Sequence, residues 1–184
     1  FDKIALPYDY YTDFDIKNRH IYIESSRGCP FTCEFCLSSI DSSMRYLPID
    51  VFLNEIDKLW NRGARNYKFI DRTFNLKISY AKAILDYFLA KDEDYFLHFE
   101  VIPDNFPPEL RELLKKFKAG SLQLEVGIQT LNLDVAKNIN RNLKMEKIKE
   151  NLAFLSSETN AHMHIDLIVG LPTETIESFE KNLD

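Results

Sequence analysis

Three cysteines lie within eight residues of one another, at Cys29, Cys33 and Cys36, and they are the only cysteines of the chain. An odd and clustered set, in a chain that starts without a secretory signal pattern, is a poor basis for disulfide pairing. Thiolates are soft ligands, so the C-x3-C-x2-C spacing favours one iron–sulfur cluster or one zinc ion. Four protein ligands are usual in a structural zinc site or an electron-transfer cluster, whereas three leave one metal corner open to another molecule.

Two other interpretations of these cysteines stay open on spacing alone. A zinc ion could be bound by the three thiolates together with His20 or a more distant histidine. The three could also be unrelated buried residues. The neighbours favour a cluster, because Gly28 permits a sharp turn before the loop and Phe35 can shield a cluster from water.

The elements that must position this loop alternate along the chain. The pattern predicts strands over residues 20–25, 66–71, 95–102, 122–128 and 161–169. It predicts helices over residues 49–62, 79–90, 107–118, 133–139 and 145–156, and a further one from residue 173. Strands that alternate with helices of this length indicate an α/β fold with a parallel sheet, wound right-handed.

Polar and apolar residues alternate along the last three predicted strands. The polar positions are His98, Glu100, Gln123, Glu125, Gln129, His162, His164 and Asp166. A parallel sheet covered on both faces usually reads as continuous apolar runs, so one polar face predicts a partial TIM-like (β/α)6 barrel with a wet interior. About five βα units are present. A twisted sheet with an exposed polar face is the alternative.

The length of 184 residues fits one domain. Residues 1–19 show no sustained period and are predicted to be a linker or edge segment. Residues 20–184 are predicted to be the core domain, which we expect to stop before the sixth barrel strand. An incomplete barrel has an exposed edge strand, so we also expect a homodimer through that edge.

Composition narrows the classes of partner. The chain has 23 Lys and Arg against 29 Asp and Glu, a net charge of −6, which disfavours DNA as a partner. An apolar content of 45% with 28% charged residues is typical of a packed globule. No apolar run is long enough to span a membrane, and no signal peptide is recognisable, so a cytoplasmic location is expected.

The cysteine segment, Ser26-Arg-Gly-Cys-Pro-Phe-Thr-Cys-Glu-Phe-Cys36, resembles the radical S-adenosylmethionine (SAM) superfamily, whose hallmark is C-x3-C-x-aromatic-C after the first barrel strand. It is most similar to members with an N-terminal cobalamin-binding domain, such as the anaerobic magnesium-protoporphyrin IX monomethyl ester oxidative cyclases. The resemblance implies a [4Fe-4S] cluster on the three cysteines, whose open iron chelates the amine and carboxylate of SAM. It further implies a 5′-deoxyadenosyl radical that abstracts hydrogen from a substrate, and cobalamin bound by a domain upstream of this chain.

Two further segments, 125–130 with Asn140-Arg141 and 166–172, are similar to segments of oxygen-independent coproporphyrinogen oxidase. By that likeness Glu100 would bond the ribose hydroxyls of SAM, and its sugar and methionyl carboxylate would be surrounded by Gln129, Arg141 and Asp166. From the residues alone, Arg141 can instead be a surface arginine and Glu100 a hydrogen-bonded barrel carboxylate.

One segment departs from the family pattern. Many members carry a Gly-Gly-Glu motif after the second strand, where this chain has Phe69-Ile-Asp-Arg-Thr-Phe-Asn75. Asp71 and Thr73 are the residues that could receive the methionyl amine instead. The histidines on the polar face, His98, His162 and His164, are candidates to line the substrate cavity.

The resemblance therefore implies a radical SAM enzyme that acts on a small molecule, either tetrapyrrole-like or a substrate of methylation or cyclisation. A flavodoxin or ferredoxin would donate the electron. Two functions from other classes compete with it: a zinc-stabilised binding domain without catalysis, and an RNA-modifying enzyme of the methylthiotransferase type.

Overall fold

The computed structural model describes residues 4–183. Its strands are β1 (Ile21–Ile23), β2 (Ser26–Arg27), β3 (Arg45–Tyr46), β4 (Asn66–Phe69), β5 (Phe96–Val101), β6 (Leu122–Gln129) and β7 (His162–Leu167). Its helices are α1 (Asp13–Asn18), α2 (Ile49–Asn61), α3 (Ile78–Leu89), α4 (Pro108–Leu114), α5 (Leu133–Asn138), α6 (Met145–Glu158) and α7 (Ile176–Glu180). Two short 3-10 helices cover Pro7–Tyr10 and Leu37–Ile40. Across residues 4–183, no helix combines the length and apolarity that crossing a bilayer requires.

Five strands form one parallel sheet in the order β1-β4-β5-β6-β7. These are the five predicted strands in the predicted order, and the sheet agrees with a partial TIM-like barrel of α/β class. A small antiparallel pair, β2 with β3, was not predicted. Each of its strands has two residues, which is too short for a period to be visible.

The sheet buries one face against the helices. On β6 the buried and half-buried residues alternate without exception, which separates an apolar face from a polar one. The apolar strand residues join helix residues in one hydrophobic core, which includes Tyr67, Phe69, Leu97, Phe99, Leu124, Val126, Phe52, Ile56, Ile84 and Phe88. The polar face remains free of that core and can carry a site.

The segment predicted to be a linker or edge segment packs on the core over its described part, residues 4–19. Tyr8 is 3% exposed and Ile16 2% exposed, and both belong to the main hydrophobic cluster. A capping box between Thr12 and Asp15 begins α1. A linker was expected because two buried residues and one short helix produce no sustained period. Phe1, Asp2 and Lys3 lie outside the described residues.

Replacing Ile16 by alanine tests whether this segment stabilises the fold. We expect a loss of about 2–4 kcal/mol in the free energy of unfolding, because the side chain is fully buried. Phe14→Ala is the matched control, since Phe14 lies on the same helix and is 63% exposed. In urea denaturation, the free energy of unfolding of Phe14→Ala should differ from that of the wild type by no more than about 0.5 kcal/mol. Equal effects of the two variants would contradict this assignment.

Candidate functional site

A cavity of about 630 Å³ lies where the carboxyl ends of β4 to β7 meet the cysteine loop. This edge of a parallel sheet is where α/β proteins place their ligands. The wall of the cavity includes all three cysteines and five of the six residues predicted to bind the cofactor: Thr73, Glu100, Gln129, Arg141 and Asp166.

The β2–β3 pair closes the base of the cysteine loop. Cys29 donates its backbone N–H to the carbonyl of Asp41 at 3.1 Å, and Cys36 donates to the carbonyl of Cys33 at 3.1 Å. Gly28 has a φ of +99°, and a Cβ there would lie 2.1 Å from the carbonyl oxygen of Ser43. Only glycine fits this turn, as the sequence predicted.

The three cysteines are free thiols, and two of them, Cys29 and Cys33, are buried. Burial raises the pKa of the Cys29 thiol, and the neighbouring Cys36 and Cys33 raise it further. Within residues 4–183, no three His, Cys, Asp or Glu side chains converge closely enough to hold one metal ion. In a [4Fe-4S] cluster each cysteine binds a different iron, and all three cysteines line one cavity.

His20, which was considered as the fourth ligand of a zinc site, does not lie near the cysteines. His20 packs edge-on against Phe96, with the ring centroids 5.5 Å apart, at the amino-terminal end of β5. The cysteine loop lies at the opposite end of the sheet. The structure therefore does not bring His20 into the zinc site considered as an alternative.

Arg141 lies between the cysteine loop and β6. Its Nη2 donates to the carbonyl of Gly127, and its Nη1 is 3.5 Å from Sγ of Cys33. Its Nε is buried and has no hydrogen-bond partner within residues 4–183. The side-chain amide of Gln129 also lies against Gly127, since a Cβ built at Gly127 would be 2.7 Å from Nε2 of Gln129 and 3.9 Å from Nη2 of Arg141. Arg141 is therefore half-buried in the cavity wall and is not a free surface arginine.

A residue that sequence reasoning did not single out ties the cysteine loop to this wall. Asn140 donates its amide to Oγ1 of Thr32 at 2.6 Å, and the N–H of Glu34 donates to the carbonyl of Ile139 at 3.1 Å. Asn140 has a φ of +55°, a conformation that asparagine tolerates better than most residues. These bonds hold Arg141 and the cysteines in one unit.

Glu100 faces the cavity and pairs with Arg72, whose Nη1 is 3.0 Å from Oε1. Burial raises the pKa of Glu100, and the charge of Arg72 opposes this shift. Glu100 is thus a hydrogen-bonded carboxylate, as the alternative interpretation had it, and it also lines the cavity. Next to Arg72, Thr73 is 4% exposed, and its Oγ1 lacks a partner among the described residues. Arg72 was missed because nothing in sequence indicates a pair that spans two strands.

Asp71 does not line the cavity, in contrast to its expected contact with the methionyl amine. It is 1% exposed, and its carboxylate accepts bonds from the N–H and hydroxyl of Ser25 and from the hydroxyl of Ser26. Burial raises its pKa, and these three bonds oppose the shift. Residues 71 and 73 would point to the same face if β4 continued through them. The strand ends at Phe69, so this alternation does not apply, and the structure corrects the expectation for Asp71.

Replacing Asp71 by asparagine should lower the free energy of unfolding by about 1–3 kcal/mol. The Ser25 N–H at Oδ2 can only donate, so an asparagine must turn its NH2 toward the two serine hydroxyls at the other oxygen. These hydroxyls then lose their bonds to a charged oxygen, which are stronger than bonds to an amide. Asp92→Asn, at an exposed position, is the control. Equal stability of the two variants in urea denaturation would refute a structural role for Asp71.

Glu125 connects the deeper groups of the polar face. Its Oε2 lies 2.9 Å from Nε2 of His98, and its carboxyl is a neighbour of the Asp166 carboxyl. Burial raises the pKa of Asp166, and the neighbouring Glu125 adds to the shift. Burial lowers the pKa of His98, and the positive charge of Lys68 lowers it further. Glu125 belongs to the polar alternation of β6, but no role at the cofactor site was inferred for it from the sequence.

The sequence profile of the radical SAM superfamily matches residues 23–184. The chain belongs to the radical SAM superfamily. This membership confirms the family predicted from the cysteine segment. It also confirms an enzyme family whose cofactors are a [4Fe-4S] cluster and SAM.

Curated relatives and solved structures agree with the radical SAM assignment. The chain is 23% identical over 172 residues to the ribosomal protein uS12 methylthiotransferase RimO of Nitratiruptor sp., with 89% of this chain and 40% of that protein covered. It is 24% identical over 174 residues to tRNA-2-methylthio-N(6)-dimethylallyladenosine synthase of Fusobacterium nucleatum, with 88% and 39% covered. The chain thus spans about two fifths of these relatives.

Two solved radical SAM structures share the fold. The methyltransferase TsrM of Kitasatospora setae, with cobalamin and a [4Fe-4S] cluster bound, superposes with a TM-score of 0.77 at 18% identity. That match covers 94% of this chain and 35% of TsrM. The cobalamin-dependent enzyme OxsB, with SAM bound, gives a TM-score of 0.73 at 19% identity and covers 90% of this chain and 26% of OxsB.

Proposed function

We propose that this chain is the radical-generating core of a radical SAM enzyme, with a [4Fe-4S] cluster on Cys29, Cys33 and Cys36 and SAM in the adjacent cavity. One observation carries the proposal. All three thiols border a single cavity, and the same wall presents two buried polar atoms without partners, Nε of Arg141 and Oγ1 of Thr73. Buried polar atoms without partners are rare, and a polar ligand in the cavity would satisfy both.

When bound, the cluster supplies one electron to SAM, whose cleavage gives methionine and a 5′-deoxyadenosyl radical that abstracts a substrate hydrogen. The residues of the protein bind SAM and orient it. The Arg141 guanidinium pairs with the methionyl carboxylate, and the Thr73 hydroxyl accepts from the methionyl amine. The ribose hydroxyls donate to Glu100 and Asp166 or bond the Gln129 amide. The substrate is proposed to be a small molecule, tetrapyrrole-like or one that is methylated or cyclised.

The experiment is anaerobic reconstitution with iron and sulfide, followed by dithionite reduction in the presence of SAM. About four irons and four sulfides per chain are expected, together with 5′-deoxyadenosine detected by mass spectrometry. Stoichiometric zinc without iron would instead support the binding-domain alternative. A filled cluster that yields no 5′-deoxyadenosine would contradict the proposed chemistry.

The affinity for SAM should depend on pH through Glu100 and Asp166. Burial raises both pKa values above the ordinary 4.5 and 3.8, so these carboxyl groups take up protons at a higher pH than exposed ones. Only the ionised forms accept bonds from both ribose hydroxyls. SAM binding should therefore be strongest above the raised pKa values and weaken as the pH falls through them. Glu100→Gln should flatten this dependence in titration calorimetry, and an unchanged profile would count against the assignment.

A methylthiotransferase is the second candidate function, favoured by the curated relatives that carry this activity in their names. The test is incubation of the reconstituted protein with SAM, with dithionite as the electron source and sulfide as the source of the inserted sulfur, and with either ribosomal protein uS12 or tRNA. A mass increase of one methylthio group on either would favour this candidate over a small-molecule substrate.

Several accessory parts belong to the same proposal. Cobalamin would be bound by a domain outside this chain, by analogy with TsrM and OxsB, which share the fold and bind cobalamin. The electron donor would be a flavodoxin or ferredoxin. Thiolate ligands require reducing conditions, which fits a cytoplasmic location. A homodimer through β7 would cover a strand that pairs only with β6 among the described residues.

A further inference from the structure

A row of polar side chains crosses the sheet below the cavity, nearer the amino-terminal ends of the strands. The register of the five strands places Tyr22, Lys68, His98, Gln123 and His162 side by side. Residues paired across parallel strands point to the same face, which here is the polar one. None of the five lines the cavity beside the cysteines. This set, called the lysine row below, is therefore separate from the residues assigned to the cofactor.

Lys68 is the cation of this row and has no ion-pair partner among residues 4–183. It is half-buried on β4. Its charge lowers the pKa of His98 and that of Glu100, so the ammonium lies within electrostatic range of both. The two nearby carboxylates have closer partners: Glu100 pairs with Arg72, and Glu125 lies 2.9 Å from Nε2 of His98. Lys68 therefore makes no direct ion pair among residues 4–183, and its ammonium can bind a further anionic group on the polar face.

The histidines and Gln123 extend this site with hydrogen-bond donors. Nε2 of Gln123 lies 3.3 Å from Nδ1 of His164, and Nε2 of His164 lies 2.9 Å from Nε2 of His162. When Gln123 donates to Nδ1 of His164, the His164 proton is on Nε2 and is donated to His162. His162 then carries its own proton on Nδ1. This chain of hydrogen bonds sets the tautomers of His164 and His162, and it ends at the Nδ1–H of His162, which can donate to a ligand.

We propose that the lysine row binds an anionic group of the substrate, a carboxylate or a phosphate. Lys68 supplies the charge, and the imidazole and amide groups supply directional N–H bonds. Calling the ligand the substrate rests on the proposed function, whereas anion binding itself does not. Two residues along a strand separate the row from Glu100, or about 7 Å. An anionic group held there places the rest of a small substrate directly below the cofactor cavity.

The test is titration of the full, reconstituted chain with inorganic phosphate and with succinate at fixed pH and ionic strength. The chain has four histidines, so their side-chain ¹H–¹⁵N signals can each be assigned. We expect saturable shifts at His98, His162 and His164, and none at His20, which packs on Phe96. Lys68→Met should weaken binding by about tenfold or more, because a charge-assisted bond is lost. Lys68→Arg should restore it.

Lys82→Met is the matched control. Lys82 is also half-buried, but it lies on α3, which packs against the opposite face of the sheet. The Lys82→Met protein should bind phosphate and succinate with the same affinities as the wild type. Phosphate binding without succinate binding would identify a phosphate site, and the reverse a carboxylate site, and either result supports the proposal.

Three results would overturn it: no saturable shift with either anion, equal affinities of Lys68→Met and the wild type, or stronger shifts with putrescine than with the anions. The proposed function is tested separately, by the formation of 5′-deoxyadenosine. Lys68→Met should still form 5′-deoxyadenosine in the absence of substrate, since Lys68 does not touch the cofactor cavity. Anion binding in a protein that forms no 5′-deoxyadenosine would refute the radical chemistry and leave the anion site standing.

Discussion

Replacing Cys33 by alanine is expected to lower 5′-deoxyadenosine formation by more than about a hundredfold. Loss of a residue that merely supports a metal ligand costs 10- to 100-fold, so loss of a ligand itself should cost more. Cys33 is 6% exposed and lies next to Arg141, at the junction of the cysteine loop and the cavity. With two cysteines left, the cluster is bound too weakly to survive reduction, and iron content should fall with activity.

Ser42→Ala is the control for this variant, since Ser42 is an exposed residue of the same loop. It should keep the iron content and the activity of the wild type. Circular dichroism separates loss of the cluster from loss of the fold, because the core contains neither Cys33 nor Ser42. A Cys33→Ala protein that keeps four irons and full activity would show that the cysteines do not form the radical-generating site.

Replacing Arg141 by alanine is expected to raise the Kd for SAM by about ten- to a hundredfold. A hydrogen bond to a charged group contributes about 1.5–3 kcal/mol, and 1.4 kcal/mol corresponds to a factor of ten. The Nε of Arg141 is buried without a partner and can donate to the methionyl carboxylate. Arg141→Lys should restore little, because an ammonium cannot bond the Gly127 carbonyl, the Cys33 region and a carboxylate as a planar guanidinium does.

The control here is Lys137→Ala, which removes an exposed cation from α5, close to Arg141 in sequence. Its Kd, measured by equilibrium dialysis on reconstituted protein, should match the wild type. Iron content must be equal in all samples, so that a weaker cluster is not mistaken for weaker SAM binding. An unchanged Kd in Arg141→Ala would remove Arg141 from the cofactor site.

The sheet could be predicted from the sequence because its strands carry regular patterns. The alternation along β6 indicated a face for the helices and a face for the site, and the structure has both. On β7 burial does not alternate, because Ile165 of the predicted apolar face is 48% exposed. The β2–β3 pair and the packing of Tyr8 and Ile16 could not be predicted in the same way. They depend on contacts between distant residues, which leave no local period.

The structure brings together most of the residues singled out from the sequence. The cysteines and Arg141, which motifs located, border one cavity, and so does Thr73, which was considered where the family's Gly-Gly-Glu motif is missing. Asp71 was assigned wrongly because the sequence does not show which way a residue points once its strand has ended. Lys68 was overlooked for a different reason: a lysine on a strand is unremarkable until the structure shows that no carboxylate among residues 4–183 forms a direct ion pair with it.

The most direct test of the account is electron–nuclear double resonance on the reduced cluster with SAM labelled with ¹⁵N and ¹⁷O in its methionyl group. The central claim is that three cysteines leave one iron open and that the amine and carboxylate of SAM bind it. The account predicts hyperfine couplings from both labels that disappear in Cys33→Ala. SAM binding without any coupling, and with an unchanged spectrum of the cluster, would contradict it.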